Sequence, residues 1–180
     1  MVISIDKGGV SGRQETGESM KKYVLSLILA AAALLIYNFL SAKEIRGRVI
    51  SIQDGDTITI LQGKTHYRIR LDGIDCPEKG QAYGNVARKF TSDQVFGKTV
   101  RVTWKEKDRY KRYLGIVITP EGMNLNQELL KAGLAWQYRD NDSVVLAALE
   151  LKARQAQKGL WADPHAIAPW DFRRGQREKS

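Results

Sequence analysis

The reading of this chain turns on one stretch. It opens with Asp54-Gly55-Asp56-Thr57-Ile58-Thr59-Ile60 and, nine residues later, continues with Arg70-Leu71-Asp72-Gly73-Ile74-Asp75-Cys76-Pro77-Glu78. Residues 46–52 (R-G-R-V-I-S-I), 57–61 (T-I-T-I-L) and 65–71 (T-H-Y-R-I-R-L) alternate in character. Strands present every second side chain to one face, so this alternation predicts three strands with an acidic turn where a rigid sheet ends. Asp56, Asp75, Glu78 and Arg70 can therefore converge at one end of a small sheet. That composition suits a hard cation together with a phosphate.

Taken singly, the pieces are ordinary. Asp-Gly between two alternating runs is first of all a turn, and Glu78 would be favourable at the positive end of a following helix. The whole set at this spacing resembles the signature of the thermonuclease family, the micrococcal or staphylococcal-nuclease-like domains. A second block, Asp108-Arg109-Tyr110-Lys111-Arg112-Tyr113-Leu114-Gly115, is similar to the family's other motif, in which a Tyr and an Arg two residues later face the same site. Lys111 departs from the small or amide residue usual there. The resemblance runs from about Ile45 to Trp161.

This resemblance implies a calcium-dependent hydrolase of phosphodiester bonds in DNA and RNA. It implies single strands or frayed duplexes as favoured substrates, and 3′-phosphate and 5′-hydroxyl products. Asp56 and Asp75 would bind Ca²⁺ through oxygen, with the backbone carbonyl of Cys76 as a further donor. Glu78 would orient or deprotonate the attacking water. Arg70 and Arg112 would fork onto the phosphate, since a planar guanidinium presents two parallel donors. Tyr110, with Arg109 and Tyr138, would hold the neighbouring nucleotide by stacking and phosphate contacts.

Outward from this stretch, residues 83–96 have a helical pattern, with Tyr83, Val86, Ala87, Phe90 and Gln94 on one face and Gly97 as a stop. Residues 99–104 and 114–119 read as two more strands. Asn124 and Gln127 resemble a capping box opening a second helix that Gly133 ends, and Asp142-Ser143 caps a third. Five short strands and three helices without an internal repeat predict an α+β domain, a five-stranded Greek-key barrel of the OB type. One hydrophobic N-terminal helix precedes it. Trp161 matches the family's C-terminal core tryptophan, and residues 166–180 read as a basic, largely solvated tail.

The chain has 29 Lys and Arg against 20 Asp and Glu, a net charge of +9. Residues 1–42 hold only four bases and three acids, so the excess belongs to the domain, residues 43–165, and its tail. Such a charge favours a polyanion or an anionic membrane surface. One cysteine and two scattered histidines exclude an internal disulfide and a zinc cluster.

Residues 1–22 read as a polar, unstructured extension on the cytoplasmic side. Lys21-Lys22, an apolar run over residues 23–40 and Ser41-Ala42 have the layout of an export signal. The run also approaches the ~17-residue lower limit of a membrane span. A cleaved signal peptide and a retained transmembrane anchor both stay open. Either places the domain outside the cytoplasmic membrane, extracellular or periplasmic, or tethered to its outer side. A monomer is expected. The alternative reading is a catalytically inactive domain of the same fold that only binds nucleic acid. Degenerate copies lose the carboxylates, whereas Asp56, Arg70, Asp75, Glu78 and Arg112 are all present here.

Overall fold

The computed structural model describes residues 12–41 and 43–178. These fall into two units that divide after Ala42. The first contributes a single helix, α1 (Gly12–Ser41). Residues 12–22, expected as part of an unstructured extension, form its first turns, because Gln, Glu and Lys are good helix formers and no proline intervenes. The remainder of that extension lies outside the described residues. Leu25, Leu27, Ile28, Leu29, Leu34 and Leu35 are all exposed on α1. Among the described residues no helix is long and apolar enough to cross a membrane.

The second unit begins with β1 (Lys43–Ile52), β2 (Thr57–Gln62) and β3 (Thr65–Leu71), an antiparallel meander. After α2 (Gly84–Val95) come β5 (Thr99–Lys107) and β6 (Tyr113–Ile118), the short strand β4 (Ile74–Asp75) having preceded the helix. β5 pairs with both β1 and β6, and β6 lies parallel to β3, so the sheet closes in the order β1-β2-β3-β6-β5. The α+β, OB-type barrel expected from the alternating runs is therefore the fold. Closure pairs every strand of this barrel on both sides.

Alternation sets what fills the barrel. Ile45, Val49, Ile58, Ile60, Ile69, Leu71, Val100, Val102 and Val117 are buried in one cluster. Full burial of such a side chain is worth about 1.5–3 kcal/mol. Helix α2 caps this core through Gly84, Ala87, Thr91 and Val95. That stripe differs from the expected one: Val86 is exposed, because the face is set by the 87–91–95 spacing.

Helix α3 (Leu125–Lys131) starts at Asn124, whose side chain accepts the Gln127 N–H at 3.3 Å. β7 (Trp136–Gln137) pairs with β4, and α4 (Val144–Gln155) starts on the Ser143 cap. A 3₁₀ turn (Gly159–Ala162) carries Trp161 against Trp136, with ring centroids 4.2 Å apart. The last element is α5 (Pro169–Arg177), where a solvated tail was expected. Pro169 occupies its first turn, a position suited to a residue with no N–H. Ala168 and Trp136 are buried together, with Trp170 packed on them.

Candidate active site

β2 and β3 are in register with Thr57 opposite Arg70. The turn at residues 53–56 and the end of β3 therefore share one rim of the barrel. The turn is tightly specified. Asp54 Oδ1 accepts the Asp56 N–H at 3.1 Å, and the buried Thr91 hydroxyl donates to the Gly55 carbonyl at 2.5 Å. A Cβ on Gly55 would lie 2.8 Å from both the Ala87 Cβ and the Cys76 Sγ, so only glycine lets α2 and the Cys76 loop close over the turn.

Asp56 and Asp75 are both buried. Asp56 Oδ2 accepts the Cys76 N–H at 2.5 Å and lies 3.0 Å from Arg70 Nη1, while Asp56 Oδ1 accepts the Thr57 hydroxyl at 3.2 Å. The other arm of the guanidinium, Arg70 Nη2, donates to Asp75 Oδ1 at 2.6 Å. One arginine thus forks across two carboxylates that the sequence separates. Asp75 is held in place because β4 pairs with β7, putting Asp75 opposite Trp136. The buried Asn126 amide braces the turn before it, donating to the carbonyls of Asp72 at 2.9 Å and Gly115 at 3.1 Å.

Arg112 reaches the same rim from the start of β6. Its Nη1 lies 3.4 Å from Thr57 Oγ1, so Thr57 stands between Arg112 and Asp56. Asp108 aims it: one carboxylate oxygen accepts the N–H groups of Tyr110 and Arg112, both at 2.9 Å, and the other accepts Arg112 Nε at 2.7 Å. Lys111 has φ 62°, a left-handed conformation. A small or amide residue is at home there, which is why its departure from the motif pattern is local and leaves Arg112 in place.

Glu78 lies beyond Asp75 and meets a partner that the sequence did not suggest. Arg173, on α5, donates through Nη1 to Glu78 Oε1 at 2.5 Å and through Nη2 to Asp75 Oδ2 at 2.8 Å. Along the rim the groups run Arg112, Thr57, Asp56, Arg70, Asp75, Arg173, Glu78, with charges alternating in sign.

The remaining candidates stand apart. Tyr110 is exposed beside the site, with the guanidinium carbons of Arg109 and Arg112 4.9 and 5.4 Å from its ring centroid. Arg109 is exposed. Tyr138 is tied to the site by its backbone, whose N–H donates to the Gly73 carbonyl at 2.9 Å. Cys76 contributes its N–H to Asp56, and its side chain belongs to the buried core. Thr57, Asp108 and Arg173 are site members that sequence reasoning passed over. The signal for Asp108 was its place four residues before Arg112. Thr57 read only as the first strand residue.

Burial governs the electrostatics. It pushes the Asp56 carboxyl well above the usual carboxylate range, with nearby Asp54 and Asp75 adding to the rise and Arg70 opposing it. It pushes the Cys76 thiol up as well. Burial works against the charge on Arg70, but Asp56 and Asp75 outweigh it and hold that guanidinium above its ordinary value. The site is a set of low-dielectric charges, each dependent on its neighbours. Among the described residues no group of three or more His, Cys, Asp or Glu side chains is arranged to hold a metal ion.

A closed five-stranded barrel thus carries buried acids and forked arginines together on one rim. Residues 68–163 match the family model described as staphylococcal nuclease homologue. The chain is 42% identical to an uncharacterized endonuclease of Escherichia coli O157:H7 over 156 residues, 86% of this chain and 98% of that one. It is 40% identical over 160 residues to a micrococcal nuclease of Shigella flexneri, covering 83% of this chain and 92% of the relative. An uncharacterized endonuclease of Haemophilus influenzae is 42% identical over 156 residues, 83% of this chain and 86% of the relative. The chain belongs to the staphylococcal nuclease family.

Proposed function

We propose that this nuclease is a calcium-dependent endonuclease that hydrolyses phosphodiester bonds of DNA and RNA to 3′-phosphate and 5′-hydroxyl ends, favouring single strands. The observation that carries the proposal is the Arg70 fork across Asp56 and Asp75, with Arg112 beside it across Thr57. A domain that only bound nucleic acid would have no need to bury two carboxylates next to the arginines meant for a phosphate, since carboxylates repel the ligand.

The donor set fits a hard cation. Asp56 and Asp75 offer oxygen only, they are buried, and they already converge on a shared positive charge in Arg70. Asp56, Asp75 and the Cys76 carbonyl would hold Ca²⁺. The ion would supply neutralisation of the phosphate and of the charge that develops on it. The chain's own residues do the rest. Arg70, once its fork is released from the acids, and Arg112 would present paired N–H donors to the phosphate oxygens and stabilise the five-coordinate transition state. Glu78 receives the proton of the attacking water, or orients that water in line with the leaving 5′ oxygen. Tyr110 offers a ring for the adjacent base, with Arg109 beside it for a neighbouring phosphate. Tyr138 borders the same side of the site as Asp75.

The proposal includes export. Lys21-Lys22, the apolar part of α1 and Ser41-Ala42 support translocation, with the segment either cleaved or kept as a membrane tether. It also takes the active form to be a monomer. The decisive assay incubates the protein with single- and double-stranded DNA and with RNA, with Ca²⁺ or with a chelator, and identifies the termini produced. N-terminal sequencing of the mature protein after fractionation reads its fate: Lys43 first means cleavage, an intact membrane-bound chain means an anchor.

A further inference from the structure

The last helix puts a positive charge on Asp75, one of the carboxylates that would hold the proposed cation. α5 is docked by aromatic packing, Trp170 lying 5.9 Å from Trp136 between ring centroids with Ala168 buried beneath. Trp136 is itself the β7 partner of Asp75. The segment leading into α5 is also tied to the site. Gln81 donates from Nε2 to the Ile167 carbonyl at 2.6 Å, while its Oε1 accepts the Glu78 N–H at 3.0 Å. Arg173 follows Trp170 by three residues, so both lie on one helix face. Arg174 and Arg177, on the same helix, are exposed. Arg174 pairs with Asp171 within the helix.

Arg173 makes three contacts with two carboxylates: Nη2 with Asp75 Oδ2 at 2.8 Å, Nη1 with Asp75 Oδ1 at 3.3 Å, and Nη1 with Glu78 Oε1 at 2.5 Å. With Arg70 on Asp75 Oδ1, both oxygens of Asp75 are taken by guanidinium groups. A guanidinium stays charged at any working pH, so it cannot release these oxygens by losing a proton. It must move. The means are present, because the Arg173 side chain is 38% exposed and its helix is only nine residues long.

We infer that Arg173 is a tethered counter-ion that holds Asp75 and Glu78 in the substrate-free enzyme and competes with the divalent cation for Asp75, so that loading the site lifts Arg173, and α5 with it, off both carboxylates and frees Glu78. This rests on the nuclease reading of the same site. A phosphate of a bound strand gives the displaced guanidinium a new anion, so nucleic acid and cation favour the same open arrangement. Each ligand then tightens the binding of the other.

The test titrates Ca²⁺ by calorimetry without nucleic acid, on the wild-type protein and on Arg173→Gln, Arg173→Lys and Arg174→Gln. Removing a competing, partly exposed ion pair tightens calcium binding roughly three- to tenfold in Arg173→Gln. Arg173→Lys falls between, and Arg174→Gln matches wild type. Calcium also changes the tryptophan emission of the wild-type protein, and Trp170→Phe loses that change. Equal or weaker calcium affinity in Arg173→Gln, with wild-type helicity by circular dichroism, overturns the competition. If wild type cleaves in a calcium-dependent way yet the affinities are equal, only the counter-ion role fails. If wild type neither binds Ca²⁺ nor needs it for cleavage, the underlying reading fails with it.

Discussion

Asp56 and Cys76 stand twenty residues apart, yet the Cys76 N–H donates to Asp56 Oδ2 at 2.5 Å. This bond ties the first acidic turn of the barrel to the loop that carries Asp75 and Glu78. Asp56 therefore has two duties, as a structural acceptor and as a negative charge. Asp56→Asn separates them, because the amide keeps one acceptor oxygen for the N–H but loses the charge. Asp75 still pairs with Arg70 Nη2, and the amide oxygen can still accept from Nη1 at this position, so the neutral amide costs little stability. The variant is expected to melt within a few degrees of wild type and to lose on the order of 10²–10³ in turnover. Thermal unfolding and a cleavage assay on one preparation check both halves.

Arg70→Lys and Arg112→Lys keep charge and lose the fork. Arg70 uses both terminal nitrogens on two different acids, and a lysine has one point of contact. Each variant is expected to lose about 10²–10³ in kcat/KM. Arg109→Lys, at an exposed residue outside the charge network, is expected to stay within a few-fold of wild type. Near-normal turnover in Arg112→Lys would remove that arginine from the phosphate.

Lys111 stores local strain. A side chain in the left-handed region costs about 1–2 kcal/mol, and glycine avoids most of it. Lys111→Gly is expected to gain up to about 1 kcal/mol in denaturant unfolding while activity stays near wild type, since the turn bonds are made by the backbone and by Asp108. A loss of stability would show that the glycine's extra freedom in the unfolded chain outweighs the relieved strain.

Asp108 gives a pH signature. Burial alone would raise its carboxyl, but the Arg112 backbone and side-chain bonds outweigh it and hold it below the usual range. A folded-state value below the unfolded one means stability present above the unfolded value of about 3.9 and lost as pH falls through the folded one. Asp108→Asn is expected to be less stable than wild type near neutrality, the two curves converging in strong acid. It is also expected to lower kcat, because Arg112 Nε loses its charged anchor.

The barrel was legible because its strands alternate and its turns carry Gly and Asp at the right places; Ile58, Ile60 and Ile69 are buried as their spacing predicts. The order of the acids was legible as a motif. Arg173 was not. The basic residues 173–179 look the same whether they are solvated or docked, and only the docking of Trp170 on Trp136 selects which arginine meets Asp75. Ala168-Pro169 followed by Asp171 does mark a helix start, but no local pattern reveals the carboxylates that helix will reach. Val86 was misplaced for a related reason. The expected face already held Ala87, but Thr91 and Val95 complete the buried stripe on α2, and a search for large apolar residues passes over a threonine. Tyr138 reads as a stacking residue by type, whereas its tie to the site is through the backbone.

Cys76 distinguishes two chemistries. Its thiol is buried in the core and pushed up by that burial, which favours the uncharged form. Cys76→Thr is expected to retain most activity and its cation dependence, with a stability cost of about 1–3 kcal/mol for a buried hydroxyl without an assured partner. A folded but inactive Cys76→Thr protein would make the thiol a ligand or nucleophile.

On the proposed function, Asp56 and Asp75 form an oxygen-only cation site that works with Arg70 and Arg112 on a phosphodiester. Its most direct test is the rate of cleavage of single-stranded DNA against Ca²⁺ concentration for wild type, Asp56→Asn and Asp75→Asn. Such a site predicts saturable calcium activation in wild type, abolished by a chelator and not restored by Zn²⁺, which prefers nitrogen and sulfur in a tight tetrahedral shell. It predicts a higher calcium requirement and little residual turnover in both variants. Cleavage that persists in the chelator, or an Asp75→Asn protein with the wild-type calcium curve, would contradict it.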